Sequence, residues 1–173
     1  MAIKKISKIQ PDKFEFNKNN KDIANNIIKN YPSGKQQSAV MPLLNIAQKQ
    51  NDNWIPLAAM KYIAKYLDMP YIKVYEVATF YSMFNLKPVG KNVISVCTNV
   101  SCMLNGSDEI LSYLEKKLKI KVGCSSDKFF LKDERECLAA CAGAPMMQVD
   151  HKYYENLTKQ KIDEIIRDLD DGR

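Results

Sequence analysis

Four of the five cysteines in this 173-residue chain form two close pairs. Cys97 and Cys102 are separated by four residues, Cys137 and Cys141 by three, and Cys124 lies alone between the pairs. Two loops that each carry a pair of thiolates can converge on one inorganic centre. A [2Fe–2S] cluster takes four such ligands, two for each iron. The pattern therefore predicts an electron carrier.

Clustered cysteines also serve in zinc binding, in thiol–disulfide exchange and in core packing. Structural zinc binds four thiolates, usually in pairs two to four residues apart, which suits the second pair better than the first. Thiol–disulfide exchange usually places two residues between its cysteines, and that spacing is absent here. Burial as small apolar side chains would not account for two clustered pairs. Spacing alone favours iron–sulfur and leaves zinc as an alternative.

Other chemically capable residues carry weaker signals. His151 is the only histidine, stands beside a predicted turn and has no evident acid–base partner, so we expect a solvated turn residue. Asp133, Glu134 and Glu136 are expected in a solvated loop, with the alternative that their charge lowers a cluster potential. The aromatic stretch 80–84 indicates core or interface. No glycine-rich phosphate loop and no catalytic residue is predicted.

Composition bounds the class of protein. A hydrophobic content of 46% can supply a core for one large domain or two small ones. The net charge of +6 comes from 23 lysines and only 3 arginines spread along the chain, a pattern that disfavours nucleic-acid binding. No stretch approaches the roughly 20 apolar residues of a membrane span. The segment 1–8 is basic but lacks the apolar run of a secretory signal.

The N-terminal half predicts a bundle of about four helices. Between Asn20 and Leu86 the apolar residues recur at helical spacing, and strand signals are scarce. A second helix that starts at Ser38 leaves Pro42 in its first turn, where proline is tolerated. The predicted helical segments are Ile23–Ile28 and the stripes Val40, Leu43, Leu44, Ala47; Met60, Ile63, Ala64, Leu67; and Val74, Val77, Ala78, Tyr81.

The C-terminal half predicts a compact layer of helices on a small mixed sheet, in the order β-α-β-β-β-α. Both cysteine pairs are expected in loops that follow strands, at one end of this sheet. Ser107 is the predicted N-cap of the first helix, whose buried stripe is Leu111, Leu114 and Leu118, and Thr158 is the predicted N-cap of the last. The predicted strands are 92–96, 129–131, 146–149 and 153–155, and the last helix turns Ile162, Ile165, Ile166 and Leu169 inward.

Several motifs in order resemble the 24-kDa subunit of respiratory complex I, which is the E subunit of NADH:quinone oxidoreductase. In the first half they are Asn53–Met60, Val74–Tyr81 and Lys87–Gly90. In the second half they are Val96–Thr98, Cys102–Ser107, Lys121–Gly123, Glu136–Cys141, Ala144–Met146 and Tyr153–Thr158. The resemblance extends from about Phe14 to the last helix.

This resemblance implies an α+β protein with an N-terminal tail and helical bundle, residues 1–86, and a thioredoxin-like [2Fe–2S] ferredoxin domain, residues 87–173. It implies one [2Fe–2S] cluster bound by Cys97, Cys102, Cys137 and Cys141, and it leaves Cys124 as a free thiol. It also implies that the N-terminal helices pack on a 51-kDa-type subunit that binds FMN and NADH. The loop 98–101 is less rich in threonine and proline than in many relatives.

The expected function is electron exchange between that cluster and FMN, within the peripheral arm of NADH:quinone oxidoreductase. The arm would lie on the cytoplasmic side of the bacterial inner membrane, or on the matrix side in an organelle, with no membrane insertion by this chain and no nucleic-acid partner. One alternative is the equivalent diaphorase subunit of an NAD-linked hydrogenase or formate dehydrogenase. An alternative of another class is an interaction module stapled by zinc.

Overall fold

The chain divides into two compact units, which are Met1–Pro88 and Val89–Arg173. The structure is a computed structural model, and it describes residues 6–171. Residues 1–5 of the basic segment considered as a possible signal lie outside this range. None of the helices formed by the described residues is long and apolar enough to cross a membrane.

The first unit contains the four predicted helices. They are α1 (Lys18–Ile28), α2 (Val40–Gln50), α3 (Leu57–Tyr66) and α4 (Tyr71–Phe80). Helix α1 begins earlier than its apolar residues indicate, because the Asn17 side chain accepts a hydrogen bond from the Asn20 N–H and caps the helix. A 3₁₀ turn, Gln36–Ala39, precedes α2, so the predicted start at Ser38 falls within that turn.

The predicted apolar stripes form the core of this unit. Most stripe residues have little or no exposed surface, whereas Val40, Val77 and Tyr81 are only partly buried. Phe16 lies against Tyr62 and Tyr66 with edge-to-face ring contacts, and this joins the segment before α1 to α3. The buried stripe residues are Leu43, Leu44, Ala47, Met60, Ile63, Ala64, Leu67, Val74 and Ala78.

The second unit is an α+β layer built on a four-stranded sheet with the order β2-β1-β3-β4. Strands β1 and β2 are parallel, and β3 is antiparallel to both β1 and β4. The predicted element order is confirmed, with one short additional helix. The elements are β1 (Asn92–Cys97), α5 (Val100–Leu104), α6 (Ser107–Leu118), β2 (Phe129–Glu134), β3 (Met147–Val149), β4 (Lys152–Tyr154) and α7 (Lys159–Asp170).

The two faces of this sheet differ in chemistry because side chains alternate along each strand. One face supplies the apolar core that packs with α6 and α7; it includes Ile94, Val96, Leu131, Met147 and Val149 together with Leu114 and Ile162. The alternate positions of β1 and β2 include Ser95, Cys97, Lys132 and Glu134. The polar positions therefore share a face with the first predicted cluster ligand.

Some local predictions in this unit are wrong, among them one helix cap and the bounds of the last strand. Ser107 is the first residue of α6 rather than its N-cap; the cap is Gly106, whose φ of +89° lies in the left-handed region that favours glycine. The Ser107 hydroxyl is buried without a hydrogen-bond partner among the described residues. The last strand lies one residue earlier than predicted. Thr158 does cap α7, and its hydroxyl accepts from the Lys161 N–H at 3.2 Å.

Candidate iron–sulfur site

Cys97 is the last residue of β1. It lies between the end of β2 and the residue that precedes β3. Its N–H donates to the Met146 carbonyl at 3.1 Å, and the next N–H, that of Thr98, donates to the Glu134 carbonyl at 2.9 Å. The Cys97 side chain is 2% exposed. A strand end fixed on both sides gives this thiol a defined position.

Cys102 lies in helix α5, not in the loop that the sequence predicts. Helix α5 begins at Val100, directly after Asn99 in an extended conformation, so Cys102 is the third residue of the helix. The Asn99 amide donates to the Arg135 carbonyl at 2.8 Å, which ties this corner to the end of β2. The Cys102 side chain is buried, as is that of Cys97.

Cys137 and Cys141 lie on an exposed segment after β2. Their sulfurs are 3.3 Å apart. The Ala139 N–H donates to the Cys137 sulfur, also at 3.3 Å, and Ala139 has a φ of +61°. A backbone N–H between the two cysteines, at a residue with a small side chain, therefore reaches one of the sulfurs.

Cys141 opens a 3₁₀ turn that ends at Gly143. The Gly143 N–H donates to the Ala140 carbonyl at 3.0 Å, and its own carbonyl accepts from the Asn156 N–H at 2.7 Å. A Cβ at Gly143 would collide with the side chain of Glu155. The turn that presents Cys141 therefore depends on a residue without a side chain.

The four thiols of the predicted ligand set approach one another. The Cys97 thiol interacts with those of Cys102 and Cys137, and Cys141 interacts with Cys137 and Cys97. Cys97 and Cys102 also share a small apolar cluster with Met146, against which Leu138, Ala140 and Ala144 pack. Two buried and two exposed sulfurs thus converge at one end of the sheet.

Local environment shifts the thiol pKa values in different directions. Burial, followed by the hydrogen bond with Cys97, raises the pKa of Cys102 to about 11. The Ala139 N–H, followed by the bond with Cys141, lowers the pKa of Cys137. The pKa of Cys141 is raised because it shares that bond with the Cys137 sulfur. The second pair therefore combines one thiol whose pKa is lowered with a neighbour whose pKa is raised.

This donor set fits a [2Fe–2S] cluster. A Cys₄ zinc site requires all four sulfurs at about 2.3 Å from a single ion. A binuclear cluster needs only two thiolates at each iron, and its anionic sulfides accept N–H donors of the kind found at Ala139.

The remaining candidates lie elsewhere or differ from expectation. Cys124 is exposed and is not among the interacting thiols. His151 is an exposed turn residue between β3 and β4, as predicted. The loop predicted for Asp133 and Glu134 is wrong, because β2 continues through both; Glu134 is buried and paired with Lys132. Residues 129–134 are three apolar residues followed by three charged ones, so no period-2 alternation in the sequence marks this extension.

Comparison with known proteins identifies the family. The model of the thioredoxin-like [2Fe–2S] ferredoxin family matches residues 24–170. The NADH-quinone oxidoreductase E subunit of Rickettsia felis is 51% identical over 154 residues, which cover 88% of this chain and 92% of that protein. The chain belongs to the thioredoxin-like [2Fe–2S] ferredoxin family. The corresponding protein of Rickettsia prowazekii is 47% identical over 161 residues, 92% of this chain and 91% of the relative.

Solved structures agree with the thioredoxin-like fold of this family. An NAD⁺-reducing [NiFe]-hydrogenase in its air-oxidized state superimposes with a TM-score of 0.62 and 19% identity. The same type of enzyme in its H₂-reduced state gives 0.59 and 21%. Each match covers 75% of this chain but less than a quarter of the hydrogenase chain, 23% and 22%. At this identity the likeness concerns the fold.

Proposed function

We propose that this chain carries one [2Fe–2S] cluster on Cys97, Cys102, Cys137 and Cys141 and exchanges single electrons with FMN on a separate NADH-binding subunit. When bound, the cluster supplies a site that accepts and releases one electron without bond making to a substrate. The protein's part is to hold the four thiolates, restrict water at the buried pair and set the potential.

The observation that carries this proposal is the convergence of the four thiols. They come from β1, from α5 and from the segment after β2, yet they meet at one end of the sheet. Membership of a thioredoxin-like [2Fe–2S] family supports binuclear iron over zinc. Relatives near 50% identity that are named as the E subunit of NADH-quinone oxidoreductase favour that enzyme over a hydrogenase or formate dehydrogenase.

We also propose that the first unit provides the docking surface for the flavin-bearing, 51-kDa-type subunit. Three large apolar side chains on or just after α4 are exposed: Ile72 by 53%, Phe80 by 63% and Met83 by 48%. We expect these side chains to contribute to an apolar patch of the kind that marks a protein–protein interface. The complete assembly would be a peripheral arm on the cytoplasmic side of a bacterial inner membrane, or on the matrix side in an organelle.

The cluster is tested by anaerobic reconstitution of the full-length chain with iron and sulfide. The expected product has two irons and two sulfides per chain, visible absorption, and an S = 1/2 EPR signal after dithionite reduction. Cys137→Ala should lose most of the iron and sulfide because alanine offers no ligand atom. Cys124→Ser is the matched control, and it should load as the unaltered chain does.

Three results would contradict the proposal in different ways. A colourless product that binds one zinc per chain would identify the zinc-stapled module. Normal loading of Cys137→Ala would remove that residue from the ligand set. Loss of the EPR signal in Cys124→Ser would show that the ligand set was chosen wrongly.

A further inference from the structure

A largely buried ion pair lies on the polar face of the sheet beside the candidate site. Lys132 Nζ is 2.6 Å from Glu134 Oε2, and the two side chains are 17% and 7% exposed. The Lys73–Glu76 pair, by contrast, has side chains that are 60% and 55% exposed. Burial reduces solvent screening, so the charges of Lys132 and Glu134 act over longer distances than those of a surface pair.

The register of the sheet places the carboxylate next to the first cysteine. In the parallel pair β1–β2, Glu134 is the Cα partner of Cys97, and Lys132 is the partner of Ser95. Paired residues of adjacent strands project from the same face of a sheet. The Glu134 carbonyl also accepts the Thr98 N–H at 2.9 Å, which fixes the two strand ends together.

We propose that Glu134, held in place by Lys132, lowers the reduction potential of the cluster. This inference rests on the proposed function, since it requires the cluster at Cys97. Reduction adds one electron, supplied by reduced flavin in the proposed assembly, and makes the cluster more negative by one charge. A fixed carboxylate beside Cys97 disfavours that added charge, whereas the Lys132 ammonium opposes the effect in part.

The neighbouring acidic residues are poorer candidates for this role. Asp133 lies on the other face of β2, and its carboxylate pairs with Arg135, whose side chain is 87% exposed. Glu136 is exposed. Solvent screens charges of this kind. Glu134 is thus the acid of this segment that combines burial with direct register to a predicted ligand.

The test is an EPR-monitored redox titration of the reconstituted full-length chain. Glu134→Gln removes the negative charge with little change in shape, and the midpoint potential should rise. The reversed pair, K132E/E134K, keeps two opposite charges buried together but places the cation opposite Cys97, so its potential should also rise. Asp133→Asn is the matched control from the same strand, and its shift should be smaller than that of either variant.

Iron and sulfide content and the EPR line shape are recorded for every variant, so that a change in potential is separated from loss of the cluster. A Glu134→Gln potential equal to that of the unaltered chain or of Asp133→Asn would overturn the inference. If Glu134→Gln fails to fold, the reversed pair decides: an unchanged or lower potential overturns the inference, and a higher one supports it. Absence of any cluster in the unaltered chain would instead refute the proposed function.

Discussion

Gly143 is the position where one added methyl group should disturb the candidate site most directly. An ideal Cβ there would lie 2.5 Å from the Glu155 Cβ, whereas ordinary contacts start at 3.4 Å. The Glu155 Cβ cannot rotate away, and the Asn156 N–H holds the same segment to the Gly143 carbonyl at 2.7 Å. The backbone must therefore move by about 1 Å, and overpacking of this kind costs about 1–3 kcal/mol.

We expect Gly143→Ala to lower the free energy of unfolding of the cluster-free chain by this amount and to reduce cluster loading, because the shifted turn begins at Cys141. Urea denaturation followed by circular dichroism measures the first effect, and iron content measures the second. Glu155→Gly removes the opposing Cβ. The double variant G143A/E155G should therefore recover the stability of Glu155→Gly alone. A Gly143→Ala free energy within about 0.5 kcal/mol of the unaltered chain would refute the reasoning.

Two further predictions concern the other surfaces. Phe80→Glu should leave the fold intact because the side chain is 63% exposed, but it should reduce co-purification with the flavin-bearing subunit. Lys73→Ala on the same helix is the control. If both variants recover the same amount of the flavin-bearing subunit, the docking surface is contradicted. Bonds from Lys117 at 2.6 Å and Tyr113 at 2.7 Å lower the pKa of Asp163. Its stabilisation is present above the ordinary carboxyl pKa and is lost as pH falls through the lowered folded value. In Asp163→Asn the midpoint of urea denaturation should therefore fall less steeply as the pH is lowered. An unchanged slope would argue against this bond network.

Periodicity predicted the elements well wherever burial on one face dominates the choice of residue. The stripes around Leu43, Ile63 and Leu114 follow the helical period, and all three residues are fully buried. The β-branched run before Cys97 likewise forms the central strand next to β2 and β3. These are positions where the removal of apolar surface from water outweighs local preferences.

Predictions failed where tertiary contacts override a local signal. Ser107 has the composition of an N-cap, yet the chain turns from α5 into α6 through the positive φ of Gly106, which gives glycine the capping position. Charged residues after Leu131 indicate a loop, but pairing with β1 extends the strand to Glu134. Helix α5 is only 5 residues long, too short for an apolar period to mark it. Distances between the two cysteine pairs depend on the sheet register, which spacing in sequence does not encode.

The unequal exposure of the two cysteine pairs implies an order for the maturation of the proposed centre. Cys137 and Cys141 face solvent, where a donor scaffold or incoming iron can reach them. Cys97 and Cys102 are 2% and 1% exposed, so a bulky carrier has no direct path to them. We therefore expect delivery to start at the outer pair and to end at the inner pair. Release of the cluster would follow the reverse order, from the interior pair outward.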